Sequence, residues 1–242
     1  VITNQEIKLI QSLDKKSERI NSGFFVVEGV KNIEELLQSS FKIHKIYGLG
    51  DFFSLESQFI KISEKELSRI SHLKTPNQAL ALVKTPTMGQ PNLAISTIVL
   101  DGVNDPGNLG TIIRTADWFG IKQIVCSSNS VDVFSPKVVM STMGSLFRVS
   151  IFYVDLIGFI KKSKLKSYAA VLKGEDCTKT NFDEQSIIVM GSESHGISME
   201  LIDVCSNKIT IPGSGTTESL NLGVATGIVC YEYFKNSHYN FQ

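Results

Sequence analysis

The sequence predicts an α/β protein in two parts: a small N-terminal α/β module and a larger domain built on a parallel sheet. Three observations carry this. A stretch from Thr85 to Asn92 holds two prolines and a glycine and has no periodicity, which marks a linker. After it, continuous apolar runs alternate with segments of helical period, the pattern of parallel strands covered on both faces. Before it, shorter strand-like and helical segments alternate as well. The division is set at residues 1–85, a linker at 86–94 and a second domain at 95–242.

In the first part, Lys8 to Arg19 reads as one polar helix carrying Ile10 and Leu13. Phe24 to Val27 is rich in aromatic and β-branched residues, hence a strand. Gly29 to Leu37 places Val30, Ile33, Leu36 and Leu37 at helical spacing. Ile43 to Tyr47 is a second strand. Ser63 and Glu66 form a capping-box pattern ahead of Leu67 and Ile70. Gln78 to Lys84 alternates around Leu80 and Leu82, again as a strand.

In the second part, Ile98 to Leu100 is a strand, and Leu109, Ile112, Ile113, Ala116 and Phe119 mark one face of a helix that Gly120 ends. Ile124 to Cys126 is a strand, and Ser135-Pro136 opens a helix with proline at its first position. Ser150 to Val154, Tyr168 to Leu172, Ile187 to Met190 and Lys208 to Ile211 are the remaining strands. Leu156 to Lys162, Met199 to Val204 and Leu222 to Phe234 are the remaining helices.

Composition narrows the function classes. With 242 residues, 42% hydrophobic and 20% charged, the chain has enough apolar residues for a sizeable core. No apolar run reaches the roughly 18 residues a membrane span requires. Val1 to Glu6 carry neither a basic nor an apolar leader pattern. Cys126, Cys177, Cys205 and Cys230 are scattered, with no CxxC pair and no histidine at zinc-ligand spacing, so neither a metal site nor a disulfide framework is expected. Free thiols in a reducing cytoplasm account for them. The zero net charge weighs against RNA binding. Its local distribution matters more: Lys8, Lys15, Lys16 and Arg19 cluster near the start, and Lys161, Lys162, Lys164 and Lys166 form a second cluster.

Ligands of open parallel sheets bind beyond the carboxyl ends of the strands. Three such ends carry dense Gly, Asn, Ser and Glu. The first runs from Asp101 through Asp105-Pro106-Gly107-Asn108 to Arg114, with Asn108 a candidate N-cap. Arg114 stands three and four residues after the small Thr111 and Gly110, which leaves its guanidinium accessible. Arginine is scarce: only Arg19, Arg69, Arg114 and Arg148 occur, and an arginine among lysines points to forked bonding to phosphate or carboxylate. An ordinary surface arginine is the alternative. The second runs from Gly191 through Glu193 and His195 to Ser198; its glycines permit close approach of a ligand, and Glu193 is placed to accept hydrogen bonds from a ligand or from Arg114. The third runs from Ile211-Pro212 through Glu218-Ser219-Leu220-Asn221 into the last helix, a polar loop whose backbone groups must be satisfied by a ligand or by internal turns. There is no GxGxxG, no phosphate loop and no nucleophile-elbow pattern.

Together the three clusters resemble the three sequence motifs of the SpoU/TrmH RNA methyltransferases. Asn104 to Ala116 looks like the first, Val189 to Ser198 like the second, and Ile211-Pro212 with Glu218 to Leu222 like the third. Before the linker, Phe25 to Gly29 and Lys74 to Gln78 are similar to the family's N-terminal substrate-binding domain, itself similar to ribosomal RNA-binding proteins. The resemblance covers nearly the whole chain. It implies a SPOUT domain with a C-terminal trefoil knot, S-adenosylmethionine as cofactor, RNA as partner, and a homodimer without metal or membrane. It implies catalytic roles for Arg114, Asn108, Glu193, Ser219 and Asn221. It implies cofactor binding by Gly191, Glu193, Gly196, Ile211, Pro212, Leu220 and Asn221, and an adenine pocket closed near Leu172. The expected reaction is methylation of a ribose 2′-hydroxyl, in 23S rRNA first and tRNA second. Two other readings stay open, an inactive RNA-binding ribosome-assembly factor of the same fold and a small-molecule α/β enzyme.

Overall fold

The structure is a computed structural model and describes residues 2–238. It divides into two compact units. The first comprises residues 2–88 together with 132–148, and the second residues 89–131 together with 149–238. The segment 132–148, which the division by sequence leaves in the second domain, thus groups with the N-terminal part.

The first unit holds a four-stranded sheet in the order β1 (Phe24–Glu28), β4 (Ala79–Lys84), β2 (Ile43–Gly48), β3 (Phe59–Lys61). β4 is antiparallel to both neighbours, with Val26 opposite Leu82, and β3 runs parallel to β2. Ala79 to Val83 are all buried, so β4 is covered on both faces rather than alternating. The helices are α1 (Asn4–Ser12), α2 (Lys16–Ser22), α3 (Val30–Leu37) and α4 (Glu64–Ile70). Capping boxes start α1 at Thr3–Glu6 and α4 at Ser63–Glu66. Ile7, Ile10, Leu13, Tyr47, Leu67, Ile70, Leu80 and Leu82 share one core cluster.

The single helix expected over Lys8 to Arg19 is two helices. The Ser12 hydroxyl turns back onto the Leu9 carbonyl (2.7 Å), and a left-handed Gly23 closes the second helix. The turn lets Leu13 enter the core. It also removes Arg19 from the expected basic cluster: Arg19 is 5% exposed and ion-paired to Asp132 at 2.6 Å. Its guanidinium also donates to the Leu13 and Asp14 carbonyls at 2.7 and 2.8 Å. In residues 132–148, α6 (Pro136–Ser141) packs on β1, the Phe134 ring lies tilted against Phe25 with centroids 4.7 Å apart, and Phe147 meets Phe41 edge-on at 5.3 Å.

The second unit holds a wholly parallel six-stranded sheet. Its order is β10 (Asn207–Thr210), β8 (Lys166–Asp176), β9 (Ser186–Gly191), β5 (Thr97–Asp101), β6 (Gln123–Cys126), β7 (Ser150–Tyr153). Val99, Val125 and Val189 face α7 (Leu156–Lys162) and α8 (Met199–Val204) in one cluster. The intervening Ile98, Ile124 and Ile188 are equally buried on the other face, the side of α5 (Pro106–Trp118) and α9 (Leu222–His238). Continuous apolar strands in the sequence therefore meant two covered faces. β8 runs past the expected end at Leu172 because its pairing to β10 jumps from Ala169 to Glu175 between Lys208 and Ile209. Burial pushes the Cys126 and Cys230 thiols up to about 12, so neither is a thiolate near neutrality.

Candidate active site

β5, β9 and β10 are parallel, so their carboxyl ends, with the three motif loops, lie at one edge of the sheet. The first motif begins with a cap different from the one expected. Asp105, not Asn108, is the N-cap of α5: its Oδ1 accepts from the Asn108 N–H at 2.8 Å, and Pro106 follows at the first helical position. The Asp-Pro pair carried that signal in the sequence. With the cap supplied by Asp105, the Asn108 side chain is free to point away from the helix end.

It reaches the other two motifs. Asn108 Nδ2 donates to Glu193 Oε1, and Asn108 Oδ1 accepts from Asn221 Nδ2 at 3.0 Å. Asn221 Oδ1 in turn accepts from the Val224 N–H at 3.2 Å, and the Asn221 carbonyl from the Ala225 N–H at 2.9 Å, capping α9. The order of donors is not arbitrary. An ionised carboxylate only accepts, so Asn108 must turn its NH2 to Glu193 and its oxygen to Asn221. That leaves Asn221 its oxygen for the helix N-terminus. One carboxylate thereby sets the orientation of two amides and ties the three loops together.

The second motif is held from within. A Cβ on Gly191 would lie 2.0 Å from the Gly196 carbonyl carbon. Ser192 and Gly196 exchange hydrogen bonds of 3.0 and 2.9 Å. The missing side chain of Gly191 therefore makes room for its own loop to return, not directly for a ligand. Asp101, at the end of β5, accepts from the Ser198 N–H at 2.8 Å and fixes the loop's far side. Neither Asp101 nor Asp105 figured among the expected site residues, although an aspartate at each of these loop positions was visible in the sequence. Ser194 Oγ lies 2.7 Å from His195 Nδ1, and both residues are exposed.

Arg114 is exposed on α5, one turn beyond Thr111, against which Gly223 of α9 packs. It makes no hydrogen bond or ion pair among the described residues; of the two donors offered to Glu193, a ligand or Arg114, the structure shows neither, and Asn108 donates instead. Ser219 is exposed and likewise stands outside the hydrogen-bonded network of the described residues. Ile211 is half-buried, while Gly196, Pro212 and Leu220 are exposed. From Ile211 to Leu220 no backbone group finds a backbone partner among the described residues. Leu172 keeps its carbonyl on Thr210 Oγ1 at 3.2 Å and its side chain 73% exposed. Among the described residues no group of three His, Cys, Asp or Glu could hold a metal ion, and no helix is long and apolar enough to cross a membrane.

Comparison with known proteins identifies the family. Residues 96–231 match the SpoU rRNA Methylase family, and residues 4–81 match the MRM3-like substrate binding domain. The chain is 30% identical over 239 residues to the 23S rRNA (guanosine(2553)-2′-O)-methyltransferase of Bacillus subtilis, covering 94% of this chain and 95% of that one. Its fold is similar to a TrmH-family protein from Porphyromonas gingivalis, with a TM-score of 0.89, 35% identity and coverage of 96% and 98%. It is similar also to an AdoMet-bound rRNA methyltransferase from Sinorhizobium meliloti, with a TM-score of 0.85, 29% identity and coverage of 96% and 95%. With three strand-end loops joined through Asn108 and both halves of the chain matched, the protein belongs to the SpoU rRNA methylase family.

Proposed function

We propose that the chain is an RNA ribose 2′-O-methyltransferase that uses S-adenosylmethionine, with 23S rRNA as its substrate ahead of tRNA. The observation that carries this is the Glu193–Asn108–Asn221 network, which draws all three motif loops to one sheet edge. The residues present suit the cofactor. The loop from Ile211 to Leu220 offers backbone N–H and C=O groups with no backbone partner among the described residues, beside an exposed Leu220 side chain. Gly191, Ile211 and Leu220 would hold it through backbone groups, with Glu193, Gly196, Pro212 and Asn221 around it. Bound there, the cofactor supplies an electrophilic methyl group. The relatives named above, one a 23S rRNA 2′-O-methyltransferase and one bound to AdoMet, support both assignments.

The protein's own task is then to position a ribose hydroxyl and relieve it of its proton. Arg114 acts as a cation rather than a base, because a guanidinium has five donors and no acceptor. It aligns the neighbouring phosphate through its planar fork and stabilises charge developing on the 2′-oxygen, while the proton leaves to phosphate or water. Glu193 and Asn108 hold Asn221, and Asn221 with Ser219 orients the ribose. Positioning of this kind supplies much of the rate.

The same reading includes a trefoil knot around the third motif and a homodimer. The dimer is supported by an apolar surface on α5 and α9: Trp118, Val224 and Tyr231 are 84%, 54% and 53% exposed. Leu222 and Val229, which contribute to the apolar excess of α9 in the sequence, are buried within their own chain at 5% and 0% and belong to its core. Incubation with methyl-labelled S-adenosylmethionine and unmodified 23S rRNA tests the function. Label in an alkali-resistant dinucleotide is the expected result, and the absence of transfer to any RNA overturns it.

A further inference from the structure

The ribose hydroxyl must lose a proton during methylation, and Arg114 cannot take it, because a guanidinium has no acceptor. The three motif loops carry five other ionisable side chains: Asp101, Asp105, Glu193, His195 and Glu218. Asp101 accepts from the Ser198 N–H, Asp105 from the Asn108 N–H and Glu193 from Asn108 Nδ2, so each of these carboxylates holds part of the scaffold. Glu218 and His195 remain, both exposed. A carboxylate is the weaker base of the two side-chain types, and no bond among the described residues fixes the Glu218 side chain.

His195 is fixed. Its turn is closed by the Ser192 N–H donating to the Gly196 carbonyl at 3.0 Å and the Gly196 N–H donating to the Ser192 carbonyl at 2.9 Å. Gly196 takes the left-handed φ of 67° at this return of the chain, and Ser192 Oγ accepts from the His195 N–H at 3.2 Å. Ser194 Oγ lies 2.7 Å from Nδ1, while Nε2, on the other side of the ring, has no partner among the described residues. Glu193 belongs to the same turn and joins Asn108, and through it Asn221. The imidazole is thus carried two residues from the carboxylate at which the loops meet.

We propose that His195 is the general base of the reaction, taking the 2′-proton on Nε2, and that Ser194 is the residue positioning its ring. The proposal rests on the RNA methyltransferase reading. A hydroxyl beside Nδ1 can accept from Nδ1–H or donate to a bare Nδ1. Only the first arrangement leaves a lone pair on Nε2. It also survives protonation unchanged, because an imidazolium donates from both nitrogens. Ser194 therefore suits both states of the ring without rearrangement. As the 2′-oxygen bonds to the methyl carbon, the carbon–sulfur bond breaks and its electron pair stays on sulfur. The 2′-proton passes to Nε2, and the imidazolium returns it to water once the product has left. Arg114 remains the cation beside the developing charge.

The first test needs no turnover. Nitrogen-15 spectra of the cofactor-free chain should show neutral His195 with its proton on Nδ1 and a bare Nε2; a proton on Nε2 would overturn the proposal. The second uses unmodified 23S rRNA and methyl-labelled S-adenosylmethionine. His195→Ala should lower kcat at least about 100-fold, with cofactor affinity by calorimetry kept within about twofold. Added imidazole should restore at least about 10-fold of the loss, which it could not do for a damaged fold. Wild-type kcat should fall as pH is lowered and the ring becomes protonated, and this acidic limb should be missing from His195→Ala. Ser194→Ala should lose about 10-fold and keep the limb. His44→Ala, which removes an exposed histidine of the first unit, serves as the control. Wild-type turnover and pH profile in His195→Ala would overturn the proposal and leave the functional reading standing. A wild-type chain that methylates no RNA would overturn both.

Discussion

At the scale of single residues, Asn108 and Arg114 divide the work differently from what spacing suggested. Spacing offered Asn108 as a helix cap and Glu193 as an acceptor from a ligand or from Arg114; Asp105 took the cap, and Asn108 took Glu193. The residue types were legible because chemistry limits which side chains can serve. The pairing was not, because it depends on which loops the sheet brings together. Asn108→Asp sets a second carboxylate against Glu193 and should weaken cofactor binding at least 10-fold by calorimetry, since the orientation of Asn221 is lost with it. Arg114→Ala should lower the methylation rate by at least ~100-fold, about 2.7 kcal/mol of barrier, with cofactor affinity kept. Arg114→Lys should restore little of it if the planar fork is what matters; near-wild-type turnover would show that charge alone suffices. In the first unit, Glu6 illustrates charge used for stability. Burial alone would raise its pKa, but hydrogen bonds from Lys45, from the Thr3 N–H and hydroxyl, and from Tyr47 outweigh it and hold the carboxyl at about 2. A lowered folded-state pKa stabilises above the unfolded value near 4.5 and loses that contribution as pH falls toward 2. Discounted for partial exposure, it amounts to about 1–2 kcal/mol. Denaturant melts of Glu6→Gln should therefore show a deficit at pH 7 that shrinks steadily below pH 4.5.

At the scale of elements, the period of apolar residues recovered nearly every helix and strand of the second unit. Leu156 to Lys162 and Met199 to Val204 are helices with the expected ends. Failures came where a local side-chain bond or a neighbour's register decides the outcome. Ser12 breaks the first helix, and the jump of β10 pairing carries β8 past Leu172. β3, only three residues long, has too little sequence to show an alternation. The final helix shows a related limit: its apolar excess was visible, but not which residues face inward. The surface left over comprises Trp118 on α5 with Val224 and Tyr231 on α9, and the Phe119 ring lies between the two helices, 6.5 Å from Tyr231 and 5.6 Å from Phe234. A Trp118→Glu/Tyr231→Glu variant should sediment as a monomer while the wild type sediments as a dimer. A wild-type monomer at micromolar concentration would dispose of the dimer altogether.

At the scale of the whole molecule, the structure divides into two units, and the first is not contiguous in sequence. The first unit is completed by residues 132–148, through the Arg19–Asp132 ion pair and the Phe134 and Phe147 contacts. Nothing in local sequence announces that a segment will pack on strands laid down a hundred residues earlier. Removing residues 2–84 should consequently do more than delete a module. It strips Phe25 and Phe41 from two aromatic rings and leaves Asp132 without its guanidinium. The shortened chain should melt at least several degrees lower than the wild type and bind a dye for exposed apolar surface.

This discontinuity also bears on how the protein is made. During synthesis the N-terminal strands emerge first, yet the unit they belong to lacks part of its interior until residue 148 has left the ribosome. Domains that fold as they emerge normally close in the order of their sequence. Here the earliest segment must wait, partly assembled, for more than fifty further residues of nascent chain that belong mostly to its neighbour.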